Sequence, residues 1–113
     1  MEAVIVRVYL PTTLGGSAEH VAAGLIPESA ERFMAPDQDE ESEYAALMEA
    51  AAASAGLLAG PGRRVVVVAE MDRDTAAIRM ECVVAVHVDT EDDADEDDDL
   101  AWFAPQEIPG LIA

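Results

Sequence analysis

There is no lysine in this chain, and its whole basic complement is six arginines: Arg7, Arg32, Arg63, Arg64, Arg73 and Arg79. A Walker-type phosphate loop is therefore excluded, because that motif needs an amine to reach the phosphates. A single cysteine, Cys82, excludes an intrachain disulfide and a zinc site built from several thiolates. Long apolar runs are missing too. None approaches the ~20 residues that span a bilayer, and Arg7 interrupts the short run Val4-Ile5-Val6 near the start, so no signal peptide is read there. The expectation is a soluble cytoplasmic protein that does not engage membranes. Aromatics are scarce as well: Tyr9, Phe33, Tyr44, Trp102 and Phe103. The apolar half of the composition is mainly alanine and valine, which predicts a thin core with closely approaching elements and leaves room for a partner subunit to complete it.

What the chain has in excess is carboxylate. The formal net charge is -18 on 113 residues, and eight of the nine residues from Glu91 to Asp99 are acidic. Such a charge repels nucleic acid and anionic surfaces and attracts basic protein surfaces. A like-charged run of that length repels itself, so it reads as a solvated, mobile loop rather than a strand or helix. Setting that run aside leaves sixteen acids against six bases, so the acidity belongs to the whole surface. Arginine in place of lysine, with abundant alanine, is what a GC-rich genome writes. Concentration of charge in one segment favours that origin over adaptation to high salt.

Along the chain, residues 3–10 read as a strand, with Val4, Val6, Val8 and Leu10 on one face and Ile5, Arg7 and Tyr9 on the other. Ser17 suits an N-cap for a helix running to about Ile26, stopped by Pro27. Residues 31–35 read as a brief strand. Asp37 with Glu40 forms a capping-box variant for the longest helix, about 38–59. Its expected buried stripe is Tyr44, Leu47, Met48, Ala51, Ala55 and Leu58, and Gly60-Pro61-Gly62 ends it. Residues 63–71 hold the clearest strand, apolar on both faces at Val65-Val66-Val67-Val68 and hence central. After a turn at residues 72–75, residues 77–89 alternate, with Ile78, Met80, Cys82, Val84, Val86 and Val88 on one face and a possible break near Glu81-Cys82. Residues 100–103 read as an edge strand, followed by a helical first turn or extended tail at 105–108 that Pro109-Gly110 closes. The whole chain is read as one α+β domain: a sheet of about four strands with two helices on one face.

The candidate chemistry is sparse. A calcium loop needs glycine at its sixth position and glutamate at its twelfth. Starting from Asp89 these are Ala94 and Leu100, from Asp93 they are Asp98 and Ala104, and from Asp37 they are Ser42 and Met48. Every register fails. His87, Asp89 and Glu91 at alternate positions of one strand would share a face, giving the mixed nitrogen and oxygen donors of a transition-metal site. The bland reading, a strand end entering solvent, weighs more, because no second histidine is near. Cys82 and His87, five apart on a strand, point to opposite faces and make no nucleophile–base pair. Gly15-Gly16-Ser17 lacks the spacing of a dinucleotide site and reads as a turn and cap. Trp102-Phe103 places two of five aromatics beside the acidic run, with Ile108 just beyond. That is a terminal strand packing back on the sheet or, functionally, an aromatic anchor flanked by charge.

The blocks Val8-Tyr9-Leu10-Pro11-Thr12-Thr13-Leu14, Glu43-Tyr44-Ala45-Ala46-Leu47, Arg63-Arg64-Val65-Val66-Val67, Ala85-Val86-His87-Val88-Asp89 and Leu100 to Pro109 resemble an uncharacterised family of small, acidic, alanine-rich actinobacterial proteins, a domain of unknown function. The resemblance implies a bacterial cytoplasmic protein and carries no activity, cofactor or catalytic residue. The chain departs from that pattern in a shorter stretch after Pro36 and in the acidic run, where the family continues with a helix. The sequence thus favours a non-enzymatic interaction module. It would bind a protein with a basic surface, or a second copy of itself, through Trp102, Phe103, Ile108, Asp97, Asp98 and Asp99, with no cofactor. The alternatives are a metal binder or metal-dependent enzyme on His87, Asp89 and Glu91, and an acidic nucleic-acid mimic.

Overall fold

The valine run dictates the centre of the molecule. A computed structural model describes residues 5–72 and 77–112. In it Val65–Met71 (β3) lies between Val6–Thr12 (β1) and Val83–Val88 (β5), and Ala101–Phe103 (β6) closes the sheet beyond β5. All three pairings are antiparallel. Val65, Val67, Ala69 and Met71 of β3 enter one core, while Val66 and Val68 enter a second on the opposite face. Both faces of β3 are covered, which is why it carries no polar alternation. The β6 edge and the four-stranded sheet match the sequence reading. Val4 and most of the expected turn at 72–75 lie outside the described residues.

The helices do not share one face, as the sequence reading had them. Glu40–Leu57 (α2) covers the face of Tyr9, Val66, Val68 and Ala85. Leu14–Ala23 (α1), the short helix Ile108–Ile112 (α3) and a two-stranded ribbon of Leu25–Ile26 (β2) with Ile78–Arg79 (β4) lie over the other. Ile26 and Ile78 seal that side, each almost wholly buried and each contributing roughly 1.5–3 kcal/mol of apolar transfer. The reason is visible in the β3 sequence. A strand apolar on both faces requires a layer on each side.

Local starts and stops also moved. Thr13, not Ser17, caps α1, its hydroxyl accepting from the Gly16 N–H at 3.0 Å. Helix thus begins at Leu14 and includes Gly15 and Gly16. Gly16 is required there because a Cβ would collide with the Thr12 side chain. The helix ends at Gly24 in the left-handed region (φ 73°), and Leu25-Ile26 turn into strand instead of prolonging it. Asp37 accepts from the Asp39 N–H at 2.9 Å, and Asp39 stands at the N-cap of α2, so the expected box with Glu40 does not form. Residues 31–35 contribute a single bridge, Phe33 to Tyr9. The long alternation at 77–89 is broken by a 3₁₀ turn at Met80–Cys82 and by a register shift opposite Val68/Ala69 that leaves Val84 exposed. Pro109 and Gly110 lie inside α3, since proline is tolerated in a first helical turn.

The buried face of α2 is the largest revision. Ala46, Ala50, Ala51 and Ser54 face the sheet, with Leu47 partly buried beside them, whereas Tyr44 and Ala55 are exposed. At 100° per residue the helix is turned roughly a quarter revolution from the stripe of larger side chains. Alanine and serine let the helix axis come close to the strands, and a tyrosine or methionine between them would hold it off. Ser54 fixes that approach. Its buried hydroxyl donates to the Thr12 carbonyl at 2.6 Å and accepts from the Val65 N–H at 2.8 Å, joining α2 to β1 and β3.

Candidate functional site

The acidic segment connects the end of β5 to the start of β6, and Arg64 lies beneath it. The Arg64 guanidinium is buried and forms a two-pronged pair with Asp89, Nε to Oδ2 at 2.9 Å and Nη2 to Oδ1 at 2.8 Å. The Arg64 backbone N–H also donates to Asp89 Oδ2 at 2.8 Å. The remaining guanidinium donors reach the loop's main chain, the Glu96 carbonyl at 3.2 Å and the Asp98 carbonyl at 2.8 Å. Asp89 holds the Arg64 pKa above its ordinary value, chiefly through this hydrogen bonding and against the opposing effect of burial. The loop is neither strand nor helix, as its self-repulsion demands, yet it is anchored by one cation at its centre.

Further ties fix its ends. The Asp93 N–H donates to the Gly62 carbonyl at 3.0 Å, with Asp93 in the left-handed region (φ 56°) that aspartate tolerates. Tyr44 Oη donates to Asp99 Oδ1 at 2.7 Å, and this bond raises the tyrosine's pKa. Within the loop, Asp95 accepts from the Asp97 N–H and Asp98 from the Asp95 N–H. All eight acidic side chains from Glu91 to Asp99 are exposed. Arg64 therefore binds the loop through carbonyls, while Arg63 pairs with the Asp92 carboxylate at 3.3 Å, and the acidic side chains stay exposed.

The metal candidates do not converge. Asp89 is only 2 % exposed and its carboxylate is saturated by Arg64. His87 is half-buried on β5, where desolvation lowers its pKa, and Glu91 is exposed past the strand end. Among the described residues no group of three or more His, Cys, Asp or Glu side chains could hold a metal ion. The physical reason is that Asp89 turns inward to neutralise a buried arginine instead of continuing the strand's outward pattern.

Strand alternation separates the two neighbouring aromatics. Trp102 pairs with His87, which pairs with Val66, so its ring lies on the α2 side of the sheet, beyond the helix, and is 60 % exposed. Phe103 points to the opposite core and is partly buried there. Ile108 is 5 % exposed within that same core. Phe103 and Ile108 are thus occupied in packing, and of the expected apolar contacts only Trp102 stands free. Cys82 packs beside Met80 against the first core, away from His87. Ser17 Oγ and His20 Nδ1, one turn apart on α1, are buried without a hydrogen-bond partner.

Two clefts flank α2. One, about 660 Å³, is lined by Tyr9, Met34 and Pro36 around Arg7, whose guanidinium is shared by Glu43 at 2.8 Å and Glu70 at 2.7 Å. Hydrogen bonding to Glu70 is the main cause of the raised Arg7 pKa, and burial raises that of Tyr9. The other, about 540 Å³, runs between α2 and the acidic loop. Sequence reasoning missed Arg64, Tyr44 and Ser54 as organisers of this end of the molecule. The available signal was an arginine at the entry of the most buried strand, which needs a buried acid to accompany it.

A family model matches residues 6–112, from β1 through α3. The chain belongs to DUF6912, a family of unknown function. This agrees with the uncharacterised family resembled by its sequence blocks. No curated protein and no solved structure matches the chain. Family membership therefore carries no role, which has to be argued from the site. No helix among the described residues is long and apolar enough to cross a membrane.

Proposed function

We propose that this DUF6912 protein is a non-enzymatic interaction module that binds a basic protein surface, using the 91–99 loop for steering and Trp102 as its anchor. One observation carries the reading: Arg64 grips the loop through the carbonyls of Glu96 and Asp98, so the carboxylates stay turned outward. A loop held in shape before contact loses less entropy on binding than a free one. Asp97, Asp98 and Asp99 lead directly into β6, which brings the charge alongside the exposed Trp102 ring. An exposed tryptophan beside concentrated charge has the composition of a binding hot spot. A net charge of -18 on each copy opposes self-association and favours a cationic partner. The setting that fits is the cytoplasm.

Affinity capture at low and moderate salt tests this, comparing wild type with a chain whose 91–99 acids are changed to Asn and Gln. A captured partner is then purified and titrated. The expected result is a partner lost on neutralisation or added salt, with Trp102→Ala costing on the order of 2 kcal/mol, roughly thirtyfold in Kd. Binding indifferent to both changes refutes the reading.

A further inference from the structure

Met48, Ala55 and Leu58, three residues of the stripe that sequence periodicity assigns to the core, instead line the cleft facing the acidic loop. Met48, Ala52, Ala55 and Leu58 form its helix side, with Ala94 and Glu96 across from them on the loop. Helix and loop are linked by the Tyr44–Asp99 hydrogen bond, while the Asp93–Gly62 bond and the Arg64 anchor hold the loop elsewhere along its length. The groove stays open because its helix wall is largely alanine, and such short side chains cannot reach across to the loop. Its helix side is apolar, the Arg64–Asp89 pair lines its base, and Asp93 and Glu96 place exposed carboxylates on its loop-side rim. The buried Arg64 and Asp89 beneath cancel one another, so the rim's negative charge is uncompensated within the groove.

We infer that this groove receives a basic segment of the partner, one large apolar side chain seated on Met48, Ala52 and Ala55 with lysine or arginine on either side meeting the rim. The inference rests on the reading that the protein binds a basic partner, and it locates where such a partner's apolar contact goes. An acidic or neutral segment would face the repulsion or the unpaired charge of the rim. A basic segment without an apolar residue would leave the Met48, Ala52 and Ala55 side uncovered. Charge and shape together select the combination.

The test uses short fluorescein-labelled lysine-rich peptides as probes, one with a single central leucine and one with alanine in its place, titrated by fluorescence anisotropy at low salt. The leucine peptide is expected to bind about tenfold more tightly, the gain from covering a leucine side chain in a half-open site. Ala52→Trp should fill the groove and abolish that difference. Ala52 is exposed on α2, so the larger ring does not enter the core. Ala55→Phe, also at an exposed site, provides a second filled groove, and circular dichroism checks that each variant is folded. Equal binding of both peptides, or a leucine preference that survives in both folded variants, overturns the groove and leaves charge-driven binding standing. Failure of both peptides to bind wild type at low salt overturns the groove and the basic-partner reading together.

Discussion

Replacing Arg64 with methionine is expected to destabilise the protein by about 3–5 kcal/mol, because it strands the Asp89 carboxylate in a site only 2 % exposed. The two loop carbonyls released at the same time add little, since the exposed loop can turn them to water. Asp89→Leu strands the guanidinium instead and carries a cost of the same order. The double variant Arg64→Met with Asp89→Leu removes both charges together. It leaves chiefly the residue-64 backbone N–H without the acceptor it has at 2.8 Å, which costs about 1–3 kcal/mol. The pair should therefore cost much less than its two single changes added, a coupling of at least ~3 kcal/mol. Urea unfolding followed by far-ultraviolet circular dichroism measures all four proteins on one scale. A stability of about 5–15 kcal/mol for a domain of this size makes the single losses large enough to see. Hydrogen exchange supplies the local readout: the Asp93 and Asp98 amides should exchange faster in Arg64→Met than in wild type. Single variants that each cost under ~1 kcal/mol, or a double variant that costs their sum, would refute the role assigned to this pair.

Ser54→Ala orphans the Thr12 carbonyl and the Val65 N–H at a fully buried site and should cost about 2–4 kcal/mol by the same unfolding assay; a neutral outcome would mean that α2 is not fastened there. Burial lowers the His87 pKa below the ordinary histidine value of about 6.5. The unfolded chain therefore binds a proton that the folded one refuses, and this contribution to stability is complete above about pH 6.5 and falls as pH drops through the lowered folded value. His87→Leu should flatten that part of the pH–stability profile relative to wild type, and an unchanged slope would remove the assignment. Raising ionic strength from ~10 mM to ~0.3 M should raise the thermal midpoint, since salt screens the self-repulsion of a chain at -18. A midpoint that falls with salt would show that ion pairs such as Arg7 with Glu43 and Glu70 outweigh the repulsion.

The α+β class, the four strands, the central place of Val65–Val68 and the β6 edge were legible in the sequence, because each is written in a local pattern: β-branched runs, turn residues and charge. So was the non-regular character of residues 91–99, which follows from self-repulsion alone. The candidate site was legible only in part. Trp102 and the acids of 91–99 are exposed, whereas Phe103 and Ile108, which the sequence reads either as packing on the sheet or as anchors, belong to the core. Period-two alternation separates Trp102 from Phe103, yet it does not say which of the two faces inward. Tertiary structure made three decisions. It chose the alanine face of α2 for the sheet, because a close helix–sheet approach rewards small side chains over hydrophobic ones, and a run such as Ala50 to Ala53 presents small residues on several sides at once. It divided the helices between two faces, because β3 needed covering on both. And it joined Arg64 to Asp89 across 25 residues of sequence, because an arginine at the entry of a buried strand requires an anion, and only the folded chain determines which of twenty-four carboxylates comes within reach.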